Sequence, residues 1–296
     1  MAGWSAADVP DQSGRTAVVT GGNTGLGLET AKVLAARGAT VVIAARDRAK
    51  AERAISAIGG DTSYLPLDLA SLASVREAAA ELRSAHDRID LLINNAGVMM
   101  TPQGTTEDGF ELQYGTNHLG HFALTGLLLD RMTAVPGSRV VIVSSFVHRQ
   151  GSYPPRERYN PSRAYGDSKL ANLLFMFELQ RRLAAAGAET ISLAAHPGYA
   201  NTGLNRYLPA PTRIATQIAG PVVAQSAASG ALPILRAATD PSARGGQFYG
   251  PRWLMWGPPV VSSPRSTALD REAAAQLWAE SEKATGVTYA FASKRP

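Results

Sequence analysis

Residues 15–27, RTAVVTGGNTGLG, decide the fold of this 296-residue chain. Residues 15–20 are rich in β-branched types and predict a strand, residues 21–27 supply the glycines, and residues 28–37 have a helical pattern that ends at Gly38. A strand, a glycine loop and a helix in this order can hold a dinucleotide. The glycines let the backbone turn tightly, and the pyrophosphate then rests on amide N–H groups at the positive end of the helix.

The residues that follow the second predicted strand, residues 40–44, indicate which dinucleotide the chain would bind. A carboxylate at the end of this strand would bind the ribose 2′-hydroxyl of NAD, whereas an arginine suits the 2′-phosphate of NADP. Arg46 follows the strand, with Lys50 as a second candidate cation, so the sequence favours NADP(H). Asp47 is adjacent and keeps NAD(H) as the alternative cofactor. A surface arginine without a ligand is the alternative reading of Arg46.

Strands and helices continue to alternate along the chain. The nearly all-apolar residues 89–93 are typical of a strand that is buried on both faces, as in a parallel sheet. We therefore predict an α/β fold, a doubly wound parallel sheet of about seven strands with helices on both faces. No interior linker divides the chain, so residues 1–296 are predicted to form one domain, with a core over about 15–250 and a tail, 251–296, near the substrate pocket.

Polar residues follow several of the predicted strands. The Asp68 carboxylate could accept a hydrogen bond from an adenine amino group, and residues 94–97 (NNAG) could brace neighbouring strands beside a ribose or form a simple turn. Ser144 and Ser145 end the fifth strand, where open α/β sheets bind ligands. Thr202, after the turn at Pro197 and Gly198, could bind a carboxamide.

Tyr165 and Lys169 are four residues apart in a segment with helical periodicity, residues 165–183, so they share one face. A free phenol has a pKa near ~10 and is a poor acid or base at neutral pH. An ammonium about 4 Å away would contribute roughly 4 kcal/mol and lower the pKa of the phenol substantially. The pair could then exchange a proton with a carbonyl or alcohol, although a solvated contact would have the same spacing.

Residues 107–132 have a helical pattern that contains Asn117. An asparagine is disfavoured inside a helix unless its side chain or a disturbed backbone carbonyl has a function. His118 and His121 lie three residues apart and could be a metal pair. Packing roles are favoured and no metal is predicted, because no nearby carboxylate or third imidazole completes a ligand set.

The composition excludes several classes of function. The chain has no cysteine, which excludes disulfides and thiol catalysis. It has no signal-like start and no apolar run of about 18 residues, so we expect a soluble, cytoplasmic protein without a membrane span. The net charge of +5 is scattered, so it suits a phosphorylated cofactor better than nucleic acid.

These motifs, in this order, closely resemble the short-chain dehydrogenase/reductase (SDR) family over residues of about 15–250. The phrases TGGNTGLGLETAKVLAARGATVVIAARD, NNAGVMM, TNHLGHFALT, RVVIVSS, AYGDSKLANLLF and HPGYANT resemble its retinol dehydrogenase-like branch in particular. The resemblance implies a Rossmann-type fold and makes Tyr165 the general acid/base. Lys169 would lower its pKa and hold the nicotinamide ribose, Ser145 would bind the substrate oxygen, and Asn117 would hold a relay water.

The cofactor-binding residues that the resemblance implies, besides Tyr165 and Lys169, are Gly21, Asn23, Gly25, Leu26, Gly27, Arg46, Asp68, Leu69, Asn95, Ala96, Gly97, Pro197, Gly198 and Thr202. The implied reaction is reversible hydride transfer between NADP(H) and a small-molecule carbonyl or alcohol. A non-catalytic NADP-binding regulator and a C=C reductase are the alternatives. Residues 148–163, 204–219 and the tail would build the pocket, and their apolar side chains suggest a lipophilic substrate. The resemblance also implies a homodimer or homotetramer.

Overall fold

The computed structural model describes residues 3–156, 158–199 and 225–291, and these residues form one mixed sheet with helices on both faces. The sheet order is β3-β2-β1-β4-β5-β6-β7-β8, parallel except for β8, which pairs antiparallel with β7. The strands are β1 Thr16–Thr20, β2 Thr40–Ala45, β3 Thr62–Pro66, β4 Leu91–Asn94, β5 Arg139–Val143, β6 Ile191–Ala195, β7 Phe248–Pro251 and β8 Pro259–Val261.

The helices of the described residues alternate with these strands as predicted. Their bounds are α1 Gly25–Ala36, α2 Arg48–Ile58, α3 Leu72–Ala85, α4 Gly120–Leu128, α5 Pro161–Ala185, α6 Ala227–Thr239 and α7 Arg271–Thr285. None of the helices in the described ranges is long and apolar enough to cross a membrane.

The sheet is buried because helices cover both of its faces. All residues of β4 and β5 are buried, as the predicted two-sided strands require. Alternate side chains of each strand enter two separate apolar clusters: Leu92 packs with α3, α4 and α5, whereas Leu91 packs with α1 and α6. The predicted doubly wound α/β fold is confirmed.

The strand order reverses between β1 and β4, since β2 and β3 lie on one side of β1 and β4 to β8 lie on the other. Ligands of open α/β sheets bind in the crevice at such a point, beyond the carboxyl ends of the strands. Thr20 and Asn94 end these two strands, so the residues that follow them are placed at this crevice.

Some helix bounds differ from the sequence predictions. The helix predicted over 107–132 begins at Leu112 and contains a π-helical segment, Gly115–Leu119, before α4. The π segment places Asn117 where the backbone is irregular, which explains an asparagine inside a helix. Helix α5 begins at Pro161, earlier than predicted, because Asn160 accepts a hydrogen bond from the Arg163 amide and caps it.

Strand β8 was not predicted. It has three residues and lies after a proline-rich hairpin, so its period-2 pattern is too short to recognise. Ser71 caps α3 by accepting from the Ser74 amide.

Candidate active site

A cavity of about 480 Å³ opens where the strand order reverses. Its lining includes most of the cofactor residues predicted from the sequence: Gly21, Asn23, Gly25, Leu26, Arg46, Asp68, Leu69, Asn95, Ala96, Gly97, Tyr165, Lys169 and Pro197. Gly27, Asn117, Ser145 and Gly198 do not line it, and Thr202 lies outside the described residues. A cavity of this size is typical of small-molecule and cofactor sites.

The glycine loop fits a pyrophosphate. Gly21 has a φ of 65°, in the left-handed region, and the helix behind it begins at Gly25. A Cβ at Gly27 would overlap the Gly21 carbonyl oxygen and lie 2.6 Å from the Asn95 side-chain nitrogen. Gly27 therefore lets α1 pack closely against the end of β1, and Gly25 and Leu26 of its first turn line the cavity.

Asn95 braces the two strands at the reversal point, as predicted. Its side-chain amide donates to the Thr20 carbonyl at 2.8 Å, and its backbone amide donates to the Thr20 hydroxyl at 2.9 Å. The Ala96 amide also donates to this hydroxyl, at 2.9 Å. These bonds fix residues 95 and 96 against β1 and shape one wall of the cavity.

Arg46 and Lys50 bring two cations to the far end of the cavity. The Arg46 side chain is about half exposed and lies 3.5 Å from the Asp68 carboxylate. Asp47 caps α2 by accepting from the Lys50 amide at 3.0 Å, and its other oxygen pairs with the Lys50 ammonium. The Asp47 carboxylate is therefore engaged at the start of α2 and also lines the cavity.

The first turns of α5 place Tyr165 in the floor of the cavity, 6% exposed. Burial raises the pKa of Tyr165 to about 12, and a hydrogen bond with the Ser145 hydroxyl opposes this shift. The expectation that Lys169 lowers this pKa is not met in the free protein. The Lys169 ammonium lies 5.6 Å from the centre of the Tyr165 ring and donates to a backbone carbonyl instead, so desolvation dominates.

Lys169 is a buried cation, 3% exposed, whose ammonium donates to the Val143 carbonyl at 3.1 Å. Burial lowers its pKa to about 8. Within the described ranges no carboxylate forms an ion pair with it. A buried ammonium with one protein acceptor has N–H groups left for ligand hydroxyls or water, which fits a ribose at this end of the cavity.

Asn117 lies behind Gly97 and is fully buried. Its side chain pairs with the backbone of Val98 in both directions, at 2.8 and 2.9 Å, and donates to the Ser168 hydroxyl at 3.0 Å. A Cβ at Gly97 would lie 3.0 Å from the Asn117 oxygen and 3.6 Å from the Lys169 ammonium. Gly97 therefore leaves the space through which Asn117 and Lys169 face each other.

His121 joins Asn117 to the end of β1, a connection that the sequence did not predict. One ring nitrogen, Nδ1, bonds the Asn117 carbonyl at 3.0 Å, and Nε2 bonds the Thr20 hydroxyl at 2.9 Å. A carbonyl only accepts, so Nδ1 carries the proton and the Thr20 hydroxyl donates to Nε2. Burial lowers the pKa of His121 to about 4, which keeps the imidazole neutral. The i to i+4 spacing between Asn117 and His121 is the sequence pattern that could have predicted this contact.

His118 has a packing role, in line with the preferred reading of the sequence. Its ring packs against Phe122 and Phe175 at centroid distances of 6.0 and 5.8 Å, and Nε2 bonds the Ser281 hydroxyl at 2.9 Å. Within the described ranges no group of three His, Cys, Asp or Glu residues could hold a metal ion.

The two serines at the end of β5 have different partners. The Ser144 hydroxyl donates to the Lys169 carbonyl at 2.8 Å and is held against α5. The Ser145 hydroxyl accepts from the Val147 amide at 3.3 Å and lowers the pKa of the nearby Tyr165 phenol. Ser144 lines the cavity with Tyr165, whereas Ser145, next to it in the chain, does not line it.

The segment between Ser145 and Tyr165 is fixed to α5 by Asp167, a residue that the sequence prediction did not single out. The buried Asp167 carboxylate accepts from the Ser152 amide at 2.7 Å and pairs with Arg156 at 3.0 Å. Tyr153, predicted near the pocket, donates to Glu280 of α7 at 2.6 Å and contacts the tail. Tyr159 donates to the Thr101 carbonyl at 2.6 Å and connects this segment to the loop after β4.

Comparison with known proteins agrees with this geometry. The family profile described as "short chain dehydrogenase" matches residues 15–212. Human retinol dehydrogenase 13 is 40% identical over 301 residues, which cover 96% of this chain and 88% of that protein.

Solved structures agree as well. The crystal structure of an uncharacterized protein from Mycobacterium paratuberculosis is 44% identical, with a TM-score of 0.83, and covers 98% of this chain and 100% of that chain. The Pseudomonas aeruginosa RhlG/NADP active-site complex is 26% identical, with a TM-score of 0.65, and covers 81% and 95% of the two chains. The shared fold and this complex support a nicotinamide dinucleotide as the cofactor.

Proposed function

Because this chain belongs to the short chain dehydrogenase family, we propose that it exchanges hydride between NADP(H) and a carbonyl or alcohol substrate. Its place in the retinol dehydrogenase-like branch of the family makes it an oxidoreductase. The observation that carries the finer proposal is that Tyr165 and Lys169 line the same cavity as the glycine loop, with Ser144 beside them and Ser145 next in the chain.

Tyr165 is proposed as the general acid. With its pKa raised to about 12 by burial, the phenol is protonated at neutral pH and can give its proton to a substrate oxygen during reduction. The Ser145 hydroxyl, which lowers the pKa of the phenol, would hold the same oxygen and stabilise the charge that develops on it. A bound nicotinamide would supply or accept the hydride.

Lys169 is proposed to hold the nicotinamide ribose and to stabilise the phenolate that Tyr165 forms. Its ammonium is buried and has a single described protein acceptor, the Val143 carbonyl. The charge would therefore act in a poorly solvated site, where an ammonium stabilises a nearby anion most strongly. Asn117 faces the same space across Gly97 and is proposed to hold a water that links Lys169 to solvent.

NADP(H) is proposed as the preferred cofactor, with NAD(H) as the alternative. Arg46 and Lys50 both line the adenosine end of the cavity, and a 2′-phosphate there would replace the long Arg46–Asp68 contact with charge-assisted bonds. The remaining proposed contacts are the glycine loop at the pyrophosphate, Asp68 and Leu69 at adenine, Asn95 to Gly97 at its ribose, and Pro197, Gly198 and Thr202 at the carboxamide.

A panel of aldehydes, ketones and alcohols, lipophilic ones included, tests the proposal through the nicotinamide absorbance. We expect oxidation of NADPH by at least one carbonyl compound, with NADH used less efficiently. An enone in the panel separates carbonyl from C=C reduction by product analysis. Tight NADPH binding without turnover across the panel would instead favour a non-catalytic regulator.

A further inference from the structure

The His121 imidazole contacts two parts of the site, and the proposed mechanism does not use it. The residue is 1% exposed, and its two ring nitrogens bond to groups on different elements. Nε2 bonds the Thr20 hydroxyl at the end of β1 at 2.9 Å, and Nδ1 bonds the Asn117 carbonyl in the π segment at 3.0 Å. The ring therefore connects the strand that braces the cofactor cavity with the residue proposed to hold the relay water.

The Thr20 hydroxyl holds one wall of the cofactor cavity. Its oxygen accepts from the backbone amides of Asn95 and Ala96, both at 2.9 Å, and both of these residues line the cavity. These two bonds use the two lone pairs of the hydroxyl oxygen. Its single proton is directed to Nε2 of His121 at 2.9 Å, because the Ile93 carbonyl is farther away, at 3.3 Å. The imidazole thus fixes the direction of the hydroxyl that holds this wall.

On the other side of the ring, the Asn117 carbonyl accepts the Nδ1 proton. The Asn117 side chain uses both of its N–H groups, one on the Val98 carbonyl at 2.9 Å and one on the Ser168 hydroxyl at 3.0 Å. A water at Asn117 would therefore donate to one of the two oxygens of this residue. The Nδ1 bond fixes the backbone that carries both oxygens, within a π segment where the regular helical pattern is interrupted.

The imidazole is held in one place and in one tautomer. The Thr125 hydroxyl donates to the His121 carbonyl at 2.7 Å and accepts from the Asn94 side chain at 2.9 Å, which ties this turn of the helix to β4. Burial, with a further contribution from the Lys169 charge, lowers the pKa of His121 to about 4, so the ring is neutral at neutral pH. A neutral imidazole has one donor and one acceptor, and each has its own partner here.

We propose that His121 is a positioning residue that acts on cofactor binding and on proton transfer through separate ring nitrogens. Nε2 orients the Thr20 hydroxyl and, through it, the wall against which the dinucleotide binds. Nδ1 orients the Asn117 backbone for the water that links Lys169 to solvent. This assignment rests on the proposed function, because the dinucleotide and the relay water belong to it.

Two substitutions that each keep one of the two bonds test the assignment. In His121→Asn the amide nitrogen takes the place of Nδ1 and keeps the bond to Asn117, whereas the bond to Thr20 is lost. In His121→Gln the amide oxygen takes the place of Nε2 and keeps the bond to Thr20, whereas the bond to Asn117 is lost. We expect NADPH affinity to be at least about fivefold lower in His121→Asn than in His121→Gln, and kcat to be at least about fivefold lower in His121→Gln than in His121→Asn.

Fluorescence titration with NADPH measures the affinity, and turnover of a carbonyl at saturation measures kcat, both well below the unfolding temperature of each variant. A loss of packing alone would lower both quantities together, so it cannot produce this crossed pattern. His118→Gln is the control, because it replaces a buried imidazole of the same helical region that bonds Ser281 instead. We expect it to keep both quantities at the wild-type level.

Equal NADPH affinities of the two His121 variants would overturn the role of Nε2, and equal kcat values would overturn the role of Nδ1. A wild-type protein that binds NADPH and turns over no carbonyl would end the proposed function and the role of Nδ1 with it, whereas the two affinities would still test Nε2. Turnover by the wild type, with both quantities equal in the two variants, would leave the proposed function standing and remove the role of His121.

Discussion

Tyr165 and Lys169 show how burial acts on two ionisable groups in opposite directions. Burial raises the pKa of the phenol to about 12 and lowers the pKa of the ammonium to about 8. In both cases burial stabilises the neutral form relative to the charged form, because removing a charge from water costs free energy. Tyr165 therefore keeps its proton at neutral pH, as the proposed reduction requires, and the proposed oxidation of an alcohol would need Lys169 to stabilise a phenolate.

Arg46 is the residue that we expect to select the cofactor. Arg46→Asp should lower the NADPH to NADH ratio of kcat/KM by about tenfold or more, because it replaces a charge-assisted bond to the 2′-phosphate with repulsion. Steady-state kinetics with both nucleotides measures the ratio. Arg48→Asp is the matched control, since Arg48 pairs with Glu52 on α2 and does not line the cavity. An unchanged NADPH to NADH ratio for Arg46→Asp would show that Arg46 does not bind the 2′-phosphate.

The sequence predicted individual site residues only where a local pattern, such as a spacing or a position after a strand, indicated them. Tyr165 and Lys169 follow from an i to i+4 spacing, and Arg46 follows from its place after β2. The direction in which the pKa of Tyr165 shifts could not be predicted from the sequence. It depends on how deeply the phenol is buried and on which carbonyl binds the Lys169 ammonium. The roles of His121 and Asp167 depend on partners many residues away in the sequence, such as Thr20 and Ser152.

At the scale of elements, the junction of β1 and α1 depends on a glycine that does not line the cavity. Gly27→Ala should weaken NADPH binding by about tenfold, since its Cβ would overlap the Gly21 carbonyl and overpacking costs about 1–3 kcal/mol. Fluorescence titration with NADPH measures the affinity. Gly104→Ala is the control, because its Cβ would meet only Leu112, at 3.8 Å. Equal affinities for the two variants would contradict the role given to this junction.

The sequence predicted which elements exist better than their details. Strands and helices alternate along the sequence, and the strands are apolar. This pattern is typical of one fold class, the α/β fold, and it predicts the parallel sheet and most of the helices. The π segment Gly115–Leu119 is a distortion of one turn, and β8 is three residues long. Both are decided by tertiary contacts, such as the pairing of Tyr249 with Val261, and not by local periodicity.

At the scale of the whole molecule, the tail completes the core. Trp278 of α7 is 2% exposed and packs at 5.2 Å from Phe122 and 4.4 Å from Tyr289, ring to ring. Arg182 of α5 lies over the same indole at 4.3 Å. Helix α7 therefore packs on α5, and the expected place of the tail near the substrate pocket stays a prediction.

Trp278→Ala should lower the free energy of unfolding by about 3–5 kcal/mol, because it leaves a cavity among buried rings. Urea denaturation measures the change. The control Trp256→Ala removes an exposed indole and should change stability by no more than about 0.5 kcal/mol. A loss below 1 kcal/mol for Trp278→Ala, on the order of a surface substitution, would show that α7 is not part of the core.

Buried histidines should make the whole fold sensitive to acid. Burial lowers the pKa of His118 and His196 to about 3 and that of His121 to about 4. The unfolded chain binds protons at these imidazoles below about pH 6.5, whereas the folded chain does so only near pH 3–4. The stability is therefore fully present above pH 6.5 and is lost as the pH falls.

Urea denaturation at pH 7 and pH 5 checks this dependence. We expect a loss of up to about 2 kcal/mol for each of these three imidazoles. His118→Gln should make the dependence shallower, because one titrating group is removed from the unfolded chain. Equal stability of the wild-type protein at the two pH values would contradict the neutral state assigned to these residues.

The central claim is that the Tyr165 hydroxyl exchanges the proton that accompanies hydride transfer. Tyr165→Phe removes this hydroxyl and keeps the buried ring, so the most direct measurement is kcat and NADPH affinity of this variant on a carbonyl that the wild type reduces. We predict unchanged NADPH affinity and a kcat lower by about 100-fold or more. A kcat within a few-fold of the wild type, with NADPH still bound, would contradict the claim.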